Sequence, residues 1–273
     1  MIPPVPSALL SAVSYGLADF AGGLAARRSS VLIVTAVAQS AGLLVLVPGL
    51  WLVGGAFSGS AALLGMLAGM CGVSGLLLYF RGLAVGPMGT VAPLSAVVAA
   101  GLPLLVGIVR GERPGPLTVG GMVLALVAIV LATMGSRREP AALSGIVLGL
   151  ASGAGFGLFF VVLDATPADS GLWPLVVGRV TTVTLLLLTL AVRRPGRRGS
   201  PWLMLASGGL DSAANVLFLL ATRAGELGVT SVIVALYPVA VVLLARLVLR
   251  ERLSPAQLVG VILALGAGVA MSA

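Results

Sequence analysis

Residues 86–130 read GPMGTVAPLSAVVAAGLPLLVGIVRGERPGPLTVGGMVLALVAIV, and residues 225–269 read GELGVTSVIVALYPVAVVLLARLVLRERLSPAQLVGVILALGAGV. The two stretches align without a gap at an offset of 139 residues. Each consists of an apolar run of helical length, a short charged turn and a second apolar run. Identical residues occupy equivalent positions at Gly86 and Gly225, Gly89 and Gly228, Glu112 and Glu251, Arg113 and Arg252, Pro116 and Pro255, and Gly121 and Gly260. The same offset extends along the chain, so we interpret residues 1–134 and 140–273 as two copies of one unit.

The composition indicates where these units lie. Hydrophobic residues make up 59% of the chain and charged residues only 9%, with a mean hydropathy of +1.18. A soluble domain carries about 25% charged residues, so this chain cannot cover a water-facing surface. The composition therefore predicts an integral membrane protein in a lipid bilayer.

The charged residues and the single cysteine exclude several kinds of partner. All sixteen basic residues behind the net charge of +8 are arginines, and most lie between apolar runs. This distribution is typical of membrane proteins, in which arginines set orientation, and it argues against a nucleic-acid partner. One cysteine, Cys71, and no histidine exclude an internal disulfide and a cysteine-rich or imidazole metal site. We therefore expect no metal and no cofactor.

Apolar runs of the length that crosses a bilayer, about 20 residues, recur along the chain. Five fall in each unit, and the connections between them are too short to hold a soluble domain. The sequence predicts an all-α integral membrane protein of ten transmembrane helices, at about residues 6–26, 31–53, 61–83, 88–109, 116–134, 142–163, 171–192, 201–221, 227–249 and 255–272.

An odd number of spans in each unit requires the second unit to enter the membrane from the opposite side. The two five-helix repeats are therefore expected to be inverted. The loop after the first span carries Arg27 and Arg28, whereas the equivalent loop after the sixth carries Asp164 and Asp169. When Arg81 and Arg246 are counted with their nearest loops, the loops that follow odd-numbered spans hold twelve arginines and the other loops three. This bias places the first set of loops in the cytoplasm and both termini outside.

The arrangement of the two halves resembles the EamA-type branch of the drug/metabolite transporter superfamily. Each half has a Gly-rich turn, a Pro-containing helix, a G-E-R-type turn and a Gly-containing last helix. The residues that carry the resemblance are Leu102-Pro103, Gly111-Glu112-Arg113-Pro114 and Gly121, then Leu236-Tyr237-Pro238, Arg250-Glu251-Arg252-Leu253-Ser254, Gln257 and Gly260.

The resemblance covers essentially the whole chain and implies a function. Similar proteins are secondary transporters, often exporters of amino acids, small metabolites or drugs, with a central cavity between the two halves. The family is drawn with both termini in the cytoplasm, which is opposite to the orientation that the arginine count gives. The motif does not indicate the substrate.

Prolines interrupt the equivalent fourth and ninth spans, at Pro93, Pro103 and Pro238. A helix broken by proline leaves backbone carbonyls free to line a cavity. We therefore expect these two helices to form the cavity walls. The alternative is that the prolines only kink their helices.

Ionisable residues inside a membrane span are costly and commonly functional. Asp19 lies inside the first span, and Ser11 and Tyr15 share its helix face at four-residue spacing. Asp211 lies in the middle of the eighth span, with Asn215 one turn further on. These polar groups are the candidate substrate-binding and coupling residues.

Arg179 lies in the middle of the seventh span and needs a partner, for which Asp211 and Asp19 are the only deep carboxylates. One interpretation is a buried pair with Asp211 that locks two helices together. The other makes Asp19 or Asp211 a proton-coupling group and Arg179 an anion-binding or gating group. Tyr237 offers its hydroxyl either to a substrate or to a neighbouring helix. The charged turns at residues 110–115 and 250–254 lie at membrane faces, where we expect them to anchor helix ends.

Inverted repeats give a transporter two related conformations that expose a midplane site alternately. Together with the family resemblance, which implies export, this predicts a secondary transporter of the cell (inner) membrane for small polar metabolites, amino acids or drugs, with proton coupling as an option. A membrane scaffold or assembly factor built on the same bundle is the alternative, and it would have no use for Asp19 or Asp211. An enzyme is not expected, because the sequence offers neither a nucleophile with its base nor clustered metal ligands. The sequence does not indicate the oligomeric state.

Overall fold

The computed structural model describes residues 3–85, 88–133, 143–193, 200–250 and 253–272. Within these ranges the chain forms helices joined by short connections, and no strand occurs. The helices are α1 (Pro4–Ala26), α2 (Val31–Val53), α3 (Gly59–Val85), α4 (Met88–Val109), α5 (Pro116–Thr133), α6 (Leu143–Asp164), α7 (Trp173–Arg193), α8 (Pro201–Ala224), α9 (Leu227–Val234), α10 (Tyr237–Val248) and α11 (Pro255–Ser272). A short 3-10 helix, Ala168–Ser170, connects α6 to α7. The all-helical fold class predicted from the sequence is confirmed.

Most of these helices are suited to a membrane. In the described part of the chain, eight segments are long and apolar enough to cross a bilayer, and α9 and α10 together form one of them, Leu227–Val248. Helices α4 and α11 contribute the shorter apolar segments Leu94–Val109 and Pro255–Met271. The protein is therefore a multi-pass membrane protein, and the count of ten spans stays a prediction.

Helix packing repeats between the two halves of the chain. Helix α1 packs along α8 as α6 packs along α3, and these helices correspond at the offset of 139 residues. Equivalent helices also pack on each other, α4 on α9 and α5 on α11. Gly228 at the start of α9 lies against Leu104 near the end of α4, and Gly121 near the start of α5 lies against Met271 at the end of α11. The equivalent helices in these two pairs therefore run antiparallel.

Glycines bring several helices into close contact. Gly65 and Gly69 of α3 lie one turn apart, against the backbone of Pro174 and Gly178 of α7. Lipid provides no hydrophobic force between helices, so van der Waals packing at small residues holds them together. A glycine stripe on α3 therefore fixes α7 beside it.

The ninth apolar run is broken in its middle. Helix α9 ends at Val234 and α10 begins at Tyr237. Pro238, the second residue of α10, has no N–H to donate to the Val234 carbonyl, which removes a hydrogen bond that a continuous helix would make there. The break predicted near Pro238 is therefore present.

The fourth apolar run is not broken. Helix α4 continues through both Pro93 and Pro103, so the prediction that these prolines break it is wrong. Pro103 is buried and lies beside Gly157 of α6. Packing against a neighbouring helix holds α4 together across the missing hydrogen bond, as membrane bundles commonly allow. The side chain of Pro93 lies outside the described residues.

Contacts between loops define two faces of the bundle. We call the face at which α1 begins the N-terminal face. The end of α8 is there, because Gly225 lies against Pro4. The loops after α2 and α6 meet there too, because Ala56 donates its N–H to the carbonyl of Asp169 at 2.9 Å. The ends of α1, α3, α7 and α10 lie at the opposite face.

Candidate functional site

An ion pair between α7 and α8 lies in the interior of the bundle. Nη2 of Arg179 donates to Oδ2 of Asp211 at 2.6 Å and to Oγ of Ser212 at 3.1 Å. The Arg179 side chain is 8% exposed, and Gly42 of α2 lies beside its guanidinium. The Asp211 side chain is 30% exposed and is the more accessible partner. The partner that the sequence required for Arg179 is therefore Asp211.

Tyr15 connects this ion pair to α1. Its hydroxyl donates to Oδ1 of Asn215 at 2.9 Å. Nδ2 of Asn215 in turn donates to the backbone carbonyl of Asp211 at 2.7 Å and to its Oδ2 at 3.3 Å. A hydrogen-bonded chain thus runs from α1 through α8 to Arg179 on α7. Four of the six predicted site side chains belong to it.

Asp19 is exposed to solvent although other helices surround it. It lies within electrostatic range of Tyr79 on α3, Asp211 on α8 and Tyr237 on α10. We infer an accessible space around this exposed carboxylate and call it, with the neighbouring Tyr15, Tyr79, Asp211 and Tyr237, the central recess. The Asp19 carboxylate makes no hydrogen bond or ion pair with any residue that the structure describes.

Asp19 lies nearer the face opposite the N-terminal face, and we infer that the central recess opens toward that face. Asp19 is followed by seven residues of α1, which correspond to about 10 Å at the usual helical rise. Toward the N-terminal face, by contrast, buried aromatic rings fill the bundle. The ring centroid of Phe160 lies 6.4 Å from that of Tyr15 and 4.4 Å from that of Phe218, which is 0% exposed. The recess therefore has a closed floor below Tyr15.

At the N-terminal face, one carboxylate caps the first half of the broken helix. Glu112, in the turn after α4, accepts hydrogen bonds from the N–H groups of Leu227 at 2.7 Å and Gly228 at 2.9 Å. These N–H groups have no partner within α9, and the helix dipole favours a negative charge there. A Cβ on Gly107 or Gly228 would meet the carboxylate, so both glycines provide its space. The turn predicted to anchor helix ends thus joins α4 to the equivalent helix of the other half.

Two arginines add further connections at the same face. Arg110 at the end of α4 donates to Oδ2 of Asp164 at the end of α6, at 2.8 Å. Arg223 at the end of α8 donates to Oγ of Ser170 at 3.0 Å and to the carbonyl of Pro167 at 3.1 Å. The ends of α4, α6, α8 and the start of α9 are therefore held together.

The six predicted side chains meet around the central recess: Tyr15, Asp19, Arg179, Asp211, Asn215 and Tyr237. Pro238 follows Tyr237 at the start of α10, whereas Pro103 lies against α6. The sequence interpretation missed Tyr79, whose signal was a tyrosine inside the third span. Among the described residues, no group of three or more His, Cys, Asp or Glu side chains could hold a metal ion. The roles of these residues in binding and coupling stay predictions.

Comparison with known proteins places the chain in a family. No curated protein matches it at a significant level. A solved structure described only as "Crystal structure of protein" has a similar fold, with a TM-score of 0.79 over 98% of this chain and 96% of that chain. Its sequence is 18% identical, so the likeness concerns the fold alone. The model of the EamA-like transporter family matches residues 3–134 and again residues 143–273, and because these two matches cover nearly the whole sequence, the chain belongs to that family.

Proposed function

We propose that the protein is a secondary transporter of the cell (inner) membrane that exports small polar metabolites, amino acids or drugs by alternating access. Ten spans form two inverted five-helix halves in this proposal, and the central recess between them holds the substrate. A carboxylate in the recess couples transport to a proton gradient. Membership of a transporter family supports the proposed class of function.

The antiparallel packing of equivalent helices supports the inverted arrangement. Helices α4 and α9 are equivalent in the repeat, as are α5 and α11, and each pair runs antiparallel. A two-fold relation that maps a helix onto an antiparallel neighbour has its axis perpendicular to the helices. In a membrane this axis lies in the bilayer plane. Such halves can exchange conformations and thereby open a midplane site to each side in turn.

The observation that carries the proposal is the difference between the two faces around Asp19. The residue is exposed and lies nearer one face, while the fully buried Phe218 and the Glu112 cap lie toward the other. One closed and one open side is the arrangement expected of a single state in an alternating-access cycle. Conversion to the other state would require the Glu112 contacts with α9 to break.

Asp19 is better placed than Asp211 to exchange a proton with solvent. Asp211 is already bonded to Arg179 and Asn215, whereas Asp19 is exposed and has no bonded partner among the described residues. The geometry of Arg179 and Asp211 favours the helix-locking interpretation of that pair. In our proposal Asp19 therefore carries the coupling proton.

Proton-driven flux in proteoliposomes tests the proposal. The purified full-length protein is offered a panel of labelled amino acids, amines and drugs, with and without an imposed pH gradient. We expect gradient-dependent, saturable flux that falls to background in Asp19→Asn. Asp169→Asn, which removes an exposed carboxylate at the N-terminal face, should retain it. Undiminished flux in a well-folded Asp19→Asn variant would contradict coupling through this residue.

The same assay separates the alternative functions. A membrane scaffold would move every compound at the rate of protein-free liposomes. A channel would give flux that does not saturate with concentration and is indifferent to the pH gradient. A carboxylate inside a membrane span, as at Asp19, is costly, and a scaffold has no use for it.

A further inference from the structure

All three tyrosines of the chain surround one carboxylate. Tyr15, Tyr79 and Tyr237 lie on α1, α3 and α10, far apart in sequence, and each is within electrostatic range of Asp19. The ring centroids of Tyr15 and Tyr237 are 6.2 Å apart, and the ring planes are inclined at 56°. Each of the three tyrosines keeps part of its surface accessible. The carboxylate therefore lies among accessible aromatic rings that three helices provide.

The charge of Asp19 is not balanced by the other described residues of the central recess. The other charged group that acts on it is Asp211, which is also negative. Arg179 is engaged by Asp211 and Ser212 and is only 8% exposed. Two carboxylates and one guanidinium leave the described recess with an excess of one negative charge. The recess therefore favours a positively charged ligand.

A carboxylate next to aromatic rings suits an organic ammonium ion in particular. The carboxylate attracts the cation directly, and each ring face adds attraction through its quadrupole. The ring carbons also contact the apolar groups on the nitrogen. A zwitterion would bring its own carboxylate into a region that is already negative. Arg179 is the cation that could receive that carboxylate, and it is buried and paired.

We propose that the central recess binds organic ammonium ions in preference to zwitterions and neutral compounds, with Asp19 as the counter-ion and the rings of Tyr15, Tyr79 and Tyr237 as its walls. The inference rests on the proposed transport function where it names the transported class. Binding itself is measured independently of transport.

Equilibrium binding to the purified full-length protein in lipid nanodiscs tests the inference with compounds that differ by one group. Phenethylamine and phenylalanine differ in a carboxylate, and 2-phenylethanol replaces the amine by a neutral hydroxyl. Choline and betaine make a second pair without an aromatic ring. We expect each ammonium compound to bind at least about tenfold more tightly than its zwitterionic or neutral counterpart, because like charges repel and a neutral group gains no ion pairing.

Matched variants identify the groups responsible. Asp19→Asn should weaken phenethylamine binding about tenfold or more, while Asp169→Asn should leave it unchanged. Tyr237→Leu should bind about fivefold to tenfold more weakly than Tyr237→Phe, because only the phenylalanine keeps the ring. The same comparison applies at Tyr79. Asp19→Asn should fold normally, since the native side chain makes no bond to the described residues, and its elution profile and melting temperature verify this.

Three results would overturn the inference: equal affinity for phenethylamine and phenylalanine, ammonium binding that survives Asp19→Asn, and no ammonium binding at all. In each case, gradient-driven flux of another compound in proteoliposomes would leave the transport proposal standing. Ammonium binding that depends on Asp19, without flux of any compound, would instead reject transport and retain the binding site.

Discussion

Nη2 of Arg179 on α7 lies 2.6 Å from Oδ2 of Asp211 on α8, so an acid from the next helix neutralises a buried cation. The Arg179 charge in particular is costly to keep alone in an apolar bundle, because its side chain is only 8% exposed. The pair holds α7 against α8, and Asn215 extends the contact to Tyr15 on α1. The bonding pattern therefore assigns the pair a role in helix packing, whatever else it does.

A double-mutant cycle should detect this role. Asp211→Leu should destabilise the protein by about 3 kcal/mol, because Arg179 remains buried without its partner, whereas Arg179→Met should cost less, because the Asp211 side chain is 30% exposed. The double variant should be more stable than either single variant and within about 1 kcal/mol of the native protein, because no charge is left. Melting temperatures of the four proteins in detergent measure the effect.

A further variant, Asp211→Asn, discriminates between the two interpretations of Asp211. A coupling carboxylate would leave the stability of Asp211→Asn near the native value while removing gradient-driven flux. If both single variants melt like the native protein, the helix-locking interpretation is wrong.

Two substitutions, one of Glu112 and one of the neighbouring Gly107, should each remove the cap that Glu112 forms on α9. Glu112→Ala leaves the N–H groups of Leu227 and Gly228 without their acceptor, which costs about 1–3 kcal/mol locally. Gly107→Ala should act in the same way, since its Cβ would occupy the space of the carboxylate. Hydrogen–deuterium exchange in the peptide that covers α9 should become faster in both variants.

Gly101→Ala is the matched control for this prediction, because a Cβ at Gly101 of α4 meets no atom within 4 Å. In Gly101→Ala, the peptide that covers α9 should exchange its amide hydrogens at the native rate. Native exchange rates in Glu112→Ala would mean that other contacts alone close the N-terminal face.

The all-helical membrane fold was predictable because it follows from the composition and from a repeat that is visible in the amino-acid sequence. The helix breaks were predictable only in part. Pro238 coincides with a break, whereas α4 continues through Pro103. A missing N–H has the same local cost at each proline, so the outcome depends on which helix packs against it. For Pro103 that helix is α6 at Gly157, a contact that no local pattern indicates.

Two adjacent glycines of α8 should respond oppositely to the same substitution. A Cβ on Gly208 would meet the backbone carbonyl of Ala38 on α2, whereas a Cβ on Gly209 meets only Val45 at 3.9 Å. We expect Gly208→Ala to destabilise the protein by about 1–3 kcal/mol through overpacking. Gly209→Ala should be neutral or stabilise it by up to about 1 kcal/mol, because alanine favours a helix. Thermal melting compares the two, and equal melting temperatures would contradict the close α2–α8 contact.

The two charged turns carry different residue types at an equivalent position of positive φ. Gly111 after α4 and Arg250 after α10 are equivalent in the repeat, and both have positive φ, +97° and +57°. Gly111→Ala should destabilise the protein by about 1 kcal/mol, because a side chain is disfavoured in this conformation. Arg250→Gly should cause no loss and a gain of up to about 1 kcal/mol for the converse reason. Melting temperatures test both, and a clear loss in Arg250→Gly would show that its side chain makes a contact worth more than the strain.

The candidate site was predictable as a set of residues but not as a bonding pattern. Polar side chains inside spans must find partners, which is why their positions in the sequence indicate the site. Which acid is paired depends on how α1 is rotated against α8. Ser11 and Ser207 fix that rotation by donating to the carbonyls of Ala214 and Ala18, each at 2.8 Å. This rotation leaves Asp19 outside the contact, in the central recess.

Accessibility from the two sides of the membrane should differ for single cysteines placed in a Cys71→Ser background. Asp19→Cys should react with a membrane-impermeant maleimide from the same side as Arg28→Cys, because the central recess opens to that face. Ala221→Cys should remain unlabelled from either side, since Ala221 is 0% exposed. Asp169→Cys marks the N-terminal face, where the native side chain is exposed.

The comparison of right-side-out with inverted vesicles makes this last prediction decisive. The side on which Arg28→Cys reacts determines the orientation of the chain. The arginine count predicts that both termini lie outside, whereas the family resemblance predicts that both lie in the cytoplasm. Labelling of Asp19→Cys must follow Arg28→Cys in whichever compartment that is, because both lie toward the same face. Labelling of Asp19→Cys only from the side of Asp169→Cys would mean that the Glu112 cap does not close the N-terminal face in the membrane. Because the label reacts irreversibly and accumulates from every state that the protein visits, slower reaction from the side of Asp169→Cys would report the second state of an alternating-access cycle, whereas equally fast reaction from both sides would favour a continuous pore through the bundle.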